Sequence, residues 1–80
     1  MQEYDLDKID EATLALMWLT MFDYGGTTRT WKGYDWSVTN RLHEKGWLGD
    51  PKGKAKSVHV TAEGERKAKE LFDKLFKMDP

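Results

Sequence analysis

The chain has 80 residues, no Cys, 39% hydrophobic and 34% charged residues, and a net charge of −1. This excludes a second domain, a disulfide framework, a thiolate metal site and a thiol nucleophile, and allows one modest core burying roughly 63% of the unfolded surface. The longest apolar run, residues 14–19, is far shorter than the ~20 residues of a membrane span, and the acidic start lacks the basic region of a signal peptide. A cytoplasmic protein with no membrane contact is expected.

The sequence predicts a helix over 8–22. Asp7 is its expected N-cap, with Asp10 and Glu11 suited to the positive helix end. Ile9, Ala12, Leu16 and Leu19 form one apolar stripe, and Leu14, Trp18 and Met21 or Phe22 form another. A helix apolar on two faces needs cover on two faces, either from the other helices or from a second copy in a homodimer. Residues 23–35 follow as a loop or short strand, with Gly25 and Gly26 ending the helix. A second helix is predicted over 36–45, capped by Asp35 and stopped by Gly46. A hairpin is expected over 47–61, with arms at 47–48 and 57–61 around a turn-rich loop. Thr61 then caps a closing helix over 62–77, where Ala68, Leu71, Phe72, Leu75 and Phe76 make an amphipathic stripe. The predicted core is Leu16, Leu19, Trp36, Leu42, Trp47, Val58, Val60, Leu71, Phe72 and Leu75. Trp18 also occupies an apolar helix position.

Charge is distributed unevenly. Residues 1–23 carry six acids against Lys8, a local charge of −5, whereas residues 29–56 carry seven Lys or Arg against three acids, a local charge of +4. The pI of 6.1 lies below the range of strongly basic nucleic-acid-binding domains. A bipolar charge map nevertheless steers a partner of one sign. Lys52, Lys54 and Lys56 alternate, so an extended hairpin would direct them one way, along phosphates. They also suit a solvated loop that blunts a sheet edge. Ser37, Asn40 and Arg41 are residue types that read base edges, and equally ordinary on a helix surface. Arg29 and Lys32 flank Trp31, with Tyr34 close by. Aromatics among cations suit base stacking or a protein-binding hot spot, and Trp31 would also serve to cover a small core.

No catalytic residues, metal ligands or cofactor are expected. His43-Glu44 is not followed by the second His of a zinc-protease helix, and the Gly49-to-Lys54 stretch lacks the spacing and hydroxyl of a phosphate-binding P-loop.

The motifs Leu42-His43-Glu44-Lys45-Gly46-Trp47-Leu48 and Val60-Thr61-Ala62-Glu63-Gly64 resemble the second half of winged-helix regulators of the MarR and PadR type. The resemblance covers residues 35–77. It implies an α+β, mostly helical domain over 1–80: a winged-helix-like three-helix frame with a β-hairpin wing. The supporting helix of the helix-turn-helix is missing, because the glycine- and threonine-rich 23–35 segment is a poor helix. The whole chain is also similar to an uncharacterised family of short bacterial proteins that carry W-K-G-[YF]-D-W and R-L-H-E-K-G. The resemblance to the regulators implies a small nucleic-acid-associated protein, with regulation among its expected roles. Its most positive surface would comprise Lys52, Lys54, Lys56, Arg29, Lys32 and Arg41. The alternative is a protein–protein interaction module on the same frame, using Trp31 and Tyr34 or the acidic N-terminal segment. A phage- or plasmid-type inhibitor of a nucleic-acid-handling complex, anti-CRISPR-like in kind, belongs to that alternative.

Overall fold

The computed structural model describes residues 3–78; the outermost two positions at each end of the expected 1–80 domain lie outside them. Helix α1 spans Leu6–Met17 and continues as a 3-10 turn over Trp18–Thr20. Its cap is Asp5, not Asp7: the Asp5 carboxylate accepts the Lys8 N–H at 3.1 Å. The Asp7 carboxylate is occupied by Lys45 instead. The expected helix over 8–22 is also too long at its far end. Met21 turns extended, and Phe22–Tyr24 form strand β1.

Gly25 and Gly26 both have positive φ, 60° and 82°. Two such residues in succession make the two-residue turn whose twist matches a hairpin. The glycines thus join β1 to β2, Thr27–Trp31, pairing Phe22 with Arg29 and Tyr24 with Thr27. Helix α2, Trp36–Glu44, starts on Asp35 and stops at Gly46, as its local signals predict. Strand β3, Ser57–His59, pairs antiparallel with β2, giving the sheet order β1-β2-β3. The hairpin expected over 47–61 is therefore corrected: its arms meet only at the Leu48–Val60 bridge. The ladder goes to β2 because the intervening loop leaves no second strand to pair with. Helix α3, Ala62–Phe76, is capped by Thr61, whose hydroxyl accepts the Gly64 N–H at 2.9 Å.

α1 packs against α3 and α2. Lys8 and Leu75 line a cleft at one end of the α1–α3 pair, and Trp18 and Ala62 line one at the other, so these helices run antiparallel. The core is Leu14, Ala15, Met17, Val38, Leu42, Leu48, Val58, Val60, Ala68 and Leu71, with Ile9, Trp18, Met21, Trp47 and Phe72 packed against it. Four expected core residues are instead exposed: Leu16, Leu19 at 65%, Trp36 at 52% and Leu75. For α1 the reason is phase: the buried face is Asp10, Leu14 and Met17, and the Ala12, Leu16, Leu19 stripe points away from it. A carboxylate on the inner face hid that phase.

The sheet has one covered and one open face. Thr30 and Val58 are paired and buried; the Thr30 hydroxyl contacts the Met17 carbonyl and the Thr20 hydroxyl, so it ties the sheet to the end of α1. By strand alternation, Phe22, Tyr24, Arg29, Trp31, Ser57 and His59 share the opposite face.

Candidate nucleic-acid interface

The 49–56 segment is a loop rather than an extended wing. The Asp50 carboxylate accepts the Lys52 N–H at 2.9 Å, and Gly53 takes a φ of 124° that favours glycine. Lys32 braces this loop from outside: its ammonium donates to the carbonyls of Pro51 at 2.6 Å and Gly53 at 3.1 Å. Its backbone N–H donates to the Lys56 carbonyl at 3.1 Å. Lys32 is therefore a structural cation. Lys52, Lys54 and Lys56 are exposed and make no ion pair among the described residues.

The α2 residues are differently placed. Arg41 makes a fork on fully buried Asp10, with Nε 2.8 Å from Oδ2 and Nη2 2.8 Å from Oδ1. Lys45 bridges Asp10 and Asp7 at 3.0 Å each. Burial opposes the charge of Asp10, but hydrogen bonds from Arg41 and Lys45, with their charges, outweigh it and hold the carboxyl below the usual range. The Asp10 hydrogen bond raises Arg41 further. Arg41 thus joins α2 to α1. The Ser37 hydroxyl donates to the Asp35 carboxylate at the cap, leaving Asn40, half-buried, as the remaining candidate base reader on this helix.

On the open sheet face, Arg29 is held from the side. Its Nε donates to the Ser57 hydroxyl and its Nη2 to the Ser57 carbonyl, both at 2.8 Å. It has no carboxylate partner among the described residues. Trp31 is half exposed and lies 4.9 Å from the Phe22 ring at 34°, with Tyr24 exposed on the same face. These groups and Ala55 line a shallow cleft of about 390 Å³. Ala55 belongs to the lysine loop, between Lys54 and Lys56. A second cleft of about 380 Å³ uses the loop's other part: Pro51, Lys52 and Gly53 meet Lys32, Tyr34 and Trp36. The loop therefore separates two aromatic-lined hollows, one containing Trp31 and the other Tyr34.

Of the expected site residues, the structure groups Lys52, Lys54, Lys56, Arg29, Trp31 and Tyr34 around this loop. It sets Arg41 apart, in the α1–α2 ion cluster. The sequence pattern alone places Phe22 and Tyr24 at the end of a helix and in the loop after it, and Trp36 in the core. The signal that identifies the first two is alternation on either side of Gly25-Gly26, with Phe22 and Tyr24 matched by Thr27, Arg29 and Trp31. The histidines are separate. His43 Nδ1 contacts the Leu48 carbonyl at 3.1 Å, and His59 lies against Gly49. Among the described residues no cluster of three His, Cys, Asp or Glu could hold a metal ion, and no helix is long and apolar enough to cross a membrane.

Residues 5–78 match the model of a family described as a domain of unknown function, DUF6429. The chain belongs to the DUF6429 family. It is 51% identical over 74 residues to "Uncharacterized protein y4hR" of Sinorhizobium fredii (strain NBRC 101917 / NGR234), covering 92% of this chain and 96% of that protein. The family is one of uncharacterised small bacterial proteins, and its α+β fold here is that of three helices and a three-stranded antiparallel sheet. No solved structure matches the DUF6429 chain.

Proposed function

We propose that this is a small nucleic-acid-associated protein on a winged-helix-like frame, meeting its ligand through the lysine loop. The observation that carries the reading is that, among the described residues, Lys52, Lys54 and Lys56 lie free of ion pairs between two aromatic clefts, while Lys32, Arg41 and Lys45 are occupied within the fold. The order α2, Leu48 bridge, β3, α3 supports the frame, with the β1–β2 hairpin standing where the supporting helix would be.

Binding through such cations releases counterions, so affinity should fall steeply with salt. Replacing all three loop lysines by Ala is expected to weaken binding alike across sequences. It should also flatten the salt slope by about three units at most. A gel-shift series beginning at ~50 mM salt reads both effects. No shift at tens of micromolar protein, a range that captures ordinary non-specific contacts, would end the reading.

The exposed Trp31 supports a second reading, a protein-interaction module, since exposed Trp is a residue type that anchors interfaces. Under either reading, exposed Ala12 on α1 beside Leu75 on α3, with Leu16 and, in the 3-10 turn, Leu19 exposed further along, supports a two-fold homodimer that would cover them. Light scattering is expected to give twice the 9.3 kDa chain mass; the single-chain mass at every concentration would remove the dimer.

A further inference from the structure

We infer that the two clefts beside the lysine loop hold unpaired bases, so that the ligand is a single strand of nucleic acid and not a duplex. The inference rests on the nucleic-acid reading above and specifies its substrate.

Bases in a duplex present only their edges to a protein, and reading them requires an element free to enter a groove. The available helix, α2, does not have that freedom. Arg41 is committed to Asp10, the Ser37 hydroxyl to Asp35, and Lys45 to Asp7 and Asp10. What the molecule offers instead is aromatic faces. Trp31 is held against Phe22 with half its surface open, and Tyr24 is exposed at 73% beside it. Across the loop, Tyr34 and Trp36 line the second hollow. Every base has a face that stacks on such rings, and only an unpaired base can present it.

The charges match the same ligand. A strand that places one base on Trp31 must carry its phosphate past neighbouring groups. Arg29 is fixed there by Ser57 and has no carboxylate partner among the described residues. Lys54 and Lys56 flank Ala55 on the wall of the cleft, and Lys52 lines the next one. By strand alternation the nearest sheet acid, Asp23, projects from the other face. Each cleft therefore joins a cation to aromatic rings, Arg29 to Trp31 and Tyr24 in one and Lys52 to Tyr34 and Trp36 in the other, the combination that single strands use. Such a surface is sequence-tolerant, because stacking and phosphate contacts carry little base identity.

The test compares a fluorescein-labelled oligothymidine with a duplex of equal length by anisotropy at ~50 mM salt, where phosphate contacts are strongest. Tyr24→Ala and Trp31→Ala are expected each to weaken strand binding about tenfold, the loss of one stacked base, and to leave duplex binding unchanged. Trp31→Phe should retain most of the affinity. Tyr24 is exposed enough to replace without disturbing the core, and thermal melting checks each variant. Equal affinity for both forms, unaffected by Tyr24→Ala and Trp31→Ala, would overturn the inference and leave contact through phosphates alone. Binding of neither form would overturn the nucleic-acid reading as well. If, in addition, nuclease-treated lysate yields a protein that Trp31→Ala no longer captures, the clefts belong to a protein partner.

Discussion

Replacing Gly64 by Ala is expected to destabilise the protein by about 3 kcal/mol, the upper end of the usual cost of overpacking, or more. A Cβ built at Gly64 would lie 1.9 Å from the Trp47 carbonyl oxygen and within 3 Å of the Trp47 carbonyl carbon and Cα. All three are backbone atoms, so no side chain can rotate away. The close approach is enforced from both sides. The Thr61 hydroxyl donates to the Gly46 carbonyl at 2.7 Å, and the Thr61 N–H donates to the Trp47 carbonyl at 3.1 Å. Leu48 bridges Val60 in the next layer of the same seam. Helix propensity alone predicts the opposite sign, a gain approaching 1 kcal/mol for Ala over Gly inside a helix. Urea denaturation followed by circular dichroism separates the two. A gain in stability would show that α3 does not press on the 46–48 segment. Gly33→Ala is the control: nothing lies within 4 Å of the added carbon, so its effect should stay within about 0.5 kcal/mol.

Asp10→Asn is expected to cost about 3 kcal/mol near pH 7, the lower end for breaking a buried ion pair. The lower end applies because Arg41 and Lys45 keep about a quarter of their side-chain surface in water, 24% and 27%. The substitution should also change the dependence on acid. A carboxyl held lower in the folded state than in the unfolded chain contributes fully above its unfolded pKa of about 3.9, and loses that contribution as pH falls below it. For Lys45, burial disfavours the charge, but hydrogen bonds to Asp7 and Asp10 outweigh it and raise its pKa. Its contribution is complete below the unfolded value of about 10.4 and disappears as pH rises through the folded one. Stability should therefore fall at both ends of the pH range, and Asp10→Asn should flatten the acid side. Denaturation midpoints measured from pH 2.5 to 7 check this, and parallel curves for the two proteins would show that Asp10 is not the group responsible.

Local chemistry was legible in the sequence, and long-range partnership was not. Asp35, Gly46 and Thr61 act within a turn of their own position, and α2 and α3 begin and end within a residue or so of the expected places. The phase of α1 was lost for two reasons. Its 14–19 run is apolar on every side, and the polar residue that marks its inner face, Asp10, finds its partners 31 and 35 residues away. The paired glycines suit a helix stop equally well, because the strand they turn toward, β2, gains its second partner only from β3. At the site, the alternating loop lysines were visible directly. Arg29, Lys32 and Arg41 looked like three more free cations, because charge along a sequence does not reveal which carbonyl or carboxylate each will meet. Lys32 became the brace of the loop and Arg41 the tie between two helices. Only Arg29 kept an open side.

The packing of α1 on α3 also governs how the chain folds. These helices are separated by the entire sheet and α2, so their shared core requires the closure of a long loop before its contacts contribute. The β1–β2 hairpin and α2 can begin from local signals, but Leu14 and Met17 on the α1 inner face gain their cover only when Ala68 and Leu71 of α3 dock. Folding should thus be slower than in a helical bundle of similar size, with formation of the α1–α3 pair as its late step. Until then the core side of the sheet and of α1 stays open, which makes docking of α3 the step that closes apolar surface against association.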